Sequence, residues 1–155
     1  MAKVFPFLKD FRIKQGALGG LELLSIDDWN EIPNVPGVYI IEATDGFTFP
    51  YPRWKSKVLY IGKSETSLRE RLKRHNAQLV ELNESNGNCE IHGKVKWFYH
   101  RYHYMHKHGA RIYYYVCKGK QDAKNLESDI IWQFYIRHRA LPVGNGAKSF
   151  SKQSE

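Results

Sequence analysis

The chain has 155 residues, with 24 Lys and Arg against 16 Asp and Glu, for a formal charge of +8 at neutral pH. That length suits one domain of roughly 100–200 residues with its own apolar core. A hydrophobic content of 42% with 26% charged residues excludes wholesale disorder, and no apolar run approaches the ~18 residues that would span a membrane.

The N-terminal MAKVFPFLKDFRIK lacks the apolar stretch of a secretory signal. Residues 1–29 read as an extension with a glycine-rich kink at Gly16, Gly19 and Gly20. SIDDWNEI then reads as a short helix capped by Ser25 or Asp27. Asn34-Val35-Pro36-Gly37 is a turn, and residues 38–42 (VYIIE) make a first strand. Residues 43–57 form a hairpin loop longer than the common length of roughly 2–5 residues, and residues 57–62 make a second strand ended by glycine. Thr66 or Ser67 caps a helix reaching about residue 80, with Leu68, Leu72 and Leu79 at helical spacing and basic residues between them. Residues 81–110 read as an insertion, partly helical over 95–107. Residues 111–117 (RIYYYVC) form a β-branched and aromatic strand. Asp122 caps a helix over 123–138 with Leu126, Ile130, Ile131 and Phe134 inward, Pro142 ends that run, and 146–155 is a loose tail. The expectation is an α+β fold, a small three-stranded mixed or antiparallel sheet flanked by helices. It is one domain with its core at about 30–145.

Cys89 and Cys117 allow at most one bridge, so a reduced, cytoplasmic chain is expected. The sequence holds no Gly-rich phosphate loop, CxxC pair, HExxH or GxSxG. Its charge is unevenly spread. From Ile91 to Gln121 there is no acidic residue, but seven Lys and Arg, five His and eight aromatics. A basic, aromatic stretch of this kind points to nucleic acid. Candidate contacts are Arg69, Arg74, Lys94, Lys96, Arg101, His103, Lys107 and Arg111. His100, His103 and His106 share a slowly drifting helix face, and contact with a nucleic-acid backbone explains them better than a structural metal does.

A second constellation spans separate elements. Tyr39 and Tyr60 face one patch if their strands pair antiparallel. Arg71 and His75, four apart on a helix, point the same way. Glu127 is an acid beside a largely apolar helix face, and Asn145 lies just beyond that helix.

At these residues the chain resembles the GIY-YIG nuclease family. GVY at 37–39 and YIG at 60–62 correspond to the two halves of the family's name. LRERLKRH at 68–75 resembles its arginine-bearing helix, Asn125-Leu126-Glu127 its metal-binding helix, and Asn145 its late asparagine. The resemblance covers about 37–145. The 20-residue stretch 40–59 between the tripeptides and the 81–110 insertion are longer than in compact members. The resemblance implies a DNA endonuclease hydrolysing phosphodiester bonds with Mg²⁺ (or Mn²⁺), from a bacterial or phage-infected cell. It implies Glu127 as metal ligand, Arg71 on the scissile phosphate, and Tyr39 as general base or water-positioning group. Tyr60 orients water or phosphate, His75 accepts a proton from Tyr39 or binds phosphate, and Asn145 buttresses the site. A phenol of pKa ~10 acts as a base near neutrality only if cations lower it, a field expected from Lys63, Arg71 and the metal. One active site cuts one strand, so a double-strand break needs a homodimer or two passes. The alternative is a catalytically weak or inactive DNA- or RNA-binding module using the 91–121 surface.

Overall fold

The computed structural model describes residues 18–84 and 99–145. Four strands, β1 (Leu18–Glu22), β2 (Gly37–Glu42), β3 (Val58–Ser64) and β4 (Arg111–Val116), form one sheet in the order β1-β4-β2-β3. Every neighbouring pair is antiparallel. All six residues of β2 are buried, because helices cover the sheet on both faces.

The three strands expected from the sequence are present, and β1 is a fourth, drawn from the region expected to be an extension. LGGLE has neither alternation nor β-branched residues, so its strand character comes from β4. Gly19 and Gly20 sit at φ +108° and +84°, and the register slips between Gly19 and Leu21. A Cβ on Gly19 would lie 2.7 Å from the Ile112 carbonyl oxygen, so glycine is what lets β1 lie against β4. SIDDWNEI is not a single helix. Two 3-10 turns, Leu23–Ser25 and Trp29–Glu31, take its place, and the Asp28 carboxylate caps the second by accepting the Asn30 N–H at 3.0 Å. The run before Pro33 is too short to offset helix nucleation.

Three helices are described: α1 (Leu68–Glu84), α2 (Tyr99–His108) and α3 (Lys120–His138). Ser67, rather than Thr66, caps α1 by accepting the Glu70 N–H at 3.1 Å. The buried stripe of α1 is Leu68, Leu72, His75, Leu79 and Leu82, so a histidine occupies a core position. Gly109, at φ +87°, closes α2 by donating its N–H to the Met105 carbonyl at 2.8 Å. The N-cap of α3 is Gly119, without a side-chain bond, and Asp122 lies inside the first turn, where it complements the helix dipole.

Strand alternation puts Tyr39, Tyr60 and Gly62 on one face and Val38, Ile40, Leu59, Ile61 and Lys63 on the other. Side chains of α1 and α2 hydrogen-bond on the first face. Helix α3 packs against β2 and β3 and covers the second with Ala123, Ile130, Ile131 and Phe134. No helix among the described residues is long and apolar enough to cross a membrane.

Because Gly19 combines a left-handed backbone with a blocked Cβ direction, Gly19→Ala is expected to lower the unfolding free energy by about 1–3 kcal/mol. The expected observation is a lower urea midpoint at unchanged slope. A wild-type midpoint would show that β1 shifts freely along β4.

Candidate active site

The site grows out of the pairing of β2 with β3. Tyr39 lies opposite Gly62 and Ile41 opposite Tyr60, so the two tyrosines are diagonal neighbours on one face, with ring centroids 5.9 Å apart. A Cβ at position 62 would fall 2.6 Å from the Tyr39 hydroxyl oxygen and 2.8 Å from Tyr60 Cε2. Glycine at the end of YIG is therefore the space into which both phenols fold.

Helix α1 supplies the partners. The Tyr39 hydroxyl is 2.6 Å from His75 Nε2, and Arg71 Nε donates to the same oxygen in a long contact of 3.4 Å. His75 Nδ1 is 2.7 Å from the Tyr102 hydroxyl on α2. The Arg101 guanidinium lies 4.0 Å from the Tyr60 ring centroid, and its Nε donates to the Gly144 carbonyl at 3.2 Å. Two arginines and three tyrosines thus surround one imidazole.

Burial dominates the electrostatics. It holds Tyr39 well above the ordinary phenol range, the neighbouring Tyr60 adds to the rise, and Arg71 opposes it. Burial also holds His75 well below the usual imidazole range, reinforced by Arg101, Arg71 and Arg74. Burial pushes Tyr102 up to about 12, with Arg101 opposing. At neutral pH these are neutral phenols and a neutral imidazole between guanidinium ions. With the Tyr39 oxygen accepting from Arg71, its own hydroxyl donates to Nε2. Nδ1 then carries the imidazole proton and donates to Tyr102, a tautomer inferred from the hydrogen-bond pattern. The cation field expected to lower Tyr39 is outweighed by desolvation.

The other candidates are distributed around this cluster. Lys63 faces the opposite side of the sheet from Tyr39, and its ammonium pairs with Glu65 at 3.0 Å; Lys120 joins that carboxylate at 3.6 Å. Asn145 clasps the open edge of β3, accepting the Ile61 N–H at 3.0 Å and donating to the Ile61 carbonyl at 2.8 Å. Glu127 is half-buried in α3 and engaged with other groups. Among the described residues, no three His, Cys, Asp or Glu side chains are grouped to hold a metal.

Of the basic candidates, Arg101 belongs to the cluster itself. Arg69 donates to the Ile32 carbonyl at 2.8 Å, and Arg74 is exposed on α1. Arg111 lies opposite Glu22 and Glu42 in the sheet. His103 and Lys107 line a separate cleft. His106 contacts Asn83 and His108 contacts Asp45. Lys94, Lys96 and Cys89 lie outside the described residues. Tyr102 was not foreseen as a site residue, nor was Arg101's place against Tyr60. Their only trace in the sequence is the His- and Tyr-rich composition of α2.

His75 is neutral when buried and regains ordinary proton affinity on unfolding, so the unfolded chain takes up the proton first as pH falls below about 6.5. Stability is then expected to fall with decreasing pH, by up to about 1.4 kcal/mol per pH unit from this group. His138, also lowered by burial, acts in the same direction. Urea unfolding at pH 7.5 and 5.5 reads the loss, and His75→Gln should shrink it; an undiminished loss in the variant would remove the assignment.

Comparison with protein families matches residues 35–135 to the GIY-YIG catalytic domain. No curated protein matches the chain significantly. Among solved structures, "Restriction endonuclease HPY188I in complex with product DNA" aligns at 18% identity and a TM-score of 0.40, over 88% of this chain and 83% of that one. A similarity of that size says nothing of what this chain acts on. The family match spans well over half of the sequence and contains both tripeptides, the α1 arginine and histidine, and Glu127, so the chain belongs to the GIY-YIG family.

Proposed function

We propose that the chain is a metal-dependent DNA endonuclease that hydrolyses phosphodiester bonds at the Tyr39–Arg71–His75 cluster. The observation that carries this reading is the convergence of Arg71 Nε and His75 Nε2 on one buried phenol oxygen. That arrangement both polarises the phenol and gives its proton a place to go. Family membership supports nuclease chemistry, and the +8 charge suits a polyanion.

The chemistry follows from the residues in place. Water attacks phosphorus, the P–O3′ bond breaks, and the 3′ oxygen takes a proton from solvent. The water's proton passes to the Tyr39 oxygen as Tyr39 hands its own to His75 Nε2, so no free tyrosinate has to form first. The Nδ1–H bond to Tyr102 fixes the imidazole in the tautomer that can receive it. Arg71 and Arg101 take the phosphate oxygens, a role that the planar guanidinium suits. Tyr39 is fully enclosed, so a phosphate reaches its oxygen only when the side chains around it move. An oxygen donor suits a hard divalent ion, and Glu127 offers one from α3. Glu127 would hold Mg²⁺ through its one carboxylate, with water and phosphate filling the remaining positions, and the ion would neutralise charge on the phosphate. Asn145 buttresses β3 beside Tyr60. Lys63, paired with Glu65, is left out of the reaction.

A second reading, a nucleic-acid-binding module with little catalysis, draws on the enclosure of Tyr39 and the rise in its pKa. Nicking of supercoiled plasmid, with Mg²⁺ and with EDTA, decides between them. The expected result is metal-dependent nicking that drops about 10²–10³-fold in Arg71→Ala, Tyr39→Phe and Glu127→Ala, with DNA still bound. Binding without cutting on plain, branched and methylated substrates would favour the module. Tyr102→Phe keeps the ring but removes the acceptor of Nδ1–H. It is expected to slow cutting and shift the rate–pH profile while leaving DNA affinity unchanged.

A further inference from the structure

Beside the tyrosine cluster lies a cleft of about 410 Å³ that neither the family match nor the proposed chemistry uses. Phe47, Phe49, Tyr104, His103, Lys107 and Val143 are among its lining residues. It is built where the long 43–57 loop folds over the end of α2. Thr44 and Asp45 donate their N–H groups to the His108 carbonyl at 2.9 and 3.3 Å. The Asp45 carboxylate takes His108 Nδ1 at 2.9 Å and the Phe47 N–H at 3.0 Å.

These bonds fix an exposed aromatic ring. Phe47 is 40% exposed, yet its ring stacks on the His108 imidazole at 4.0 Å and 14°. Behind it, Phe49 is buried and stands edge-on to Tyr104 at 5.4 Å and 84°. The cleft thus offers immobilised aromatic surface, which serves a flat ligand better than a branched aliphatic one. Lys107, which is exposed, gives the lining a positive charge, and the half-buried His103 adds an imidazole. The nearby acid, Asp45, is engaged by His108.

Cleft and cluster are joined through the chain. Helix α2 places Arg101 and Tyr102 on the cluster and His103, Tyr104 and Lys107 along the cleft. Val143, in the cleft wall, immediately precedes Gly144 and Asn145, which bind the edge of β3.

We propose that this cleft is a nucleobase-binding site, in which one unstacked base of the DNA strand lodges against Phe47 and Tyr104 with Lys107 on the adjoining phosphate. Its place beside the scissile phosphate rests on the nuclease reading above; the stacking itself does not. A base enters most readily where it is already unpaired or mismatched, since extrusion from a sound duplex costs unstacking. The chain should accordingly favour single-stranded or locally opened DNA.

The test uses the full chain in EDTA and fluorescence anisotropy at one salt concentration. The probes are a fluorescein-labelled dT 12-mer and an abasic 12-mer of equal charge. Wild type is expected to bind the dT oligomer roughly 5- to 100-fold more tightly. Phe47→Ala should erase that preference while the variant keeps the far-ultraviolet circular dichroism of the folded chain, and Tyr104→Ala should reduce it. Lys107→Ala should weaken both oligomers alike. A duplex with 2-aminopurine at a mismatch distinguishes an extruded base from a pre-existing single strand, through a fluorescence rise in wild type that Phe47→Ala lacks. Equal affinity for the two oligomers, no binding to either, or a preference that survives Phe47→Ala would overturn the proposal. Plasmid nicking without base preference defeats this site alone, whereas base preference without nicking defeats the nuclease reading and leaves the cleft standing.

Discussion

A phenol and an imidazole, both enclosed, cannot borrow water to satisfy their polar atoms, and the 2.6 Å bond between Tyr39 and His75 settles that constraint for both at once. It also ties the central strand to α1, and much of the local structure follows from it. Gly62 has to be small because the Tyr39 ring needs the space above it. Tyr102 has to reach in from α2 because the second imidazole nitrogen would otherwise be orphaned. Arg71 leans on the oxygen that remains open to a donor. Removing the Tyr102 hydroxyl leaves the buried Nδ1 of His75 without its partner, which costs about 1–3 kcal/mol.

The same enclosure sets the electrostatic character of the site. Tyr39, Tyr102 and His75 are neutral, so the guanidinium ions of Arg71 and Arg101 provide its formal positive charge. Around this cluster the fixed charge is therefore positive, carried by two guanidinium ions. Lys63, close in sequence to Tyr60, adds little to that field because strand alternation turns it to the other face and Glu65 neutralises it. Desolvation raises Tyr39 and holds His75 neutral, so each satisfies its buried polar atom uncharged, through the other.

The two long insertions between the motifs work together. The 43–57 loop is ordered by bonds to the ends of two helices. Its Asp45 and Thr44 meet His108 of α2, and the Arg53 and Trp54 carbonyls meet His138 Nδ1 of α3, each at 2.9 Å. Tyr51 donates to the Val58 carbonyl at 2.6 Å and accepts the Val143 N–H at 3.1 Å, linking the loop to the segment that carries Asn145. Helix α2, itself part of the second insertion, closes one side of the tyrosine cluster and forms one wall of the aromatic cleft.

The sequence by itself determined the strands bearing Tyr39 and Tyr60, the helices bearing Arg71, His75 and Glu127, and the shared face of Arg71 and His75. Each of these is set by local periodicity, caps and glycine positions, which a chain displays one residue at a time. It marked the acid-free 91–121 stretch as basic and aromatic without separating Arg101 and Tyr102 from their neighbours. Only the tertiary structure decided that LGGLE pairs as a fourth strand, because its strand conformation is imposed by β4 and permitted by two glycines. It alone set Lys63 apart from Tyr39 and brought Tyr102 to His75 across 27 residues. Contacts of that range depend on how elements pack, and packing leaves no period in the sequence. The sign of the Tyr39 shift was likewise invisible in the residue types, since cations and burial pull in opposite directions and the depth of burial, fixed only by the fold, decides which prevails.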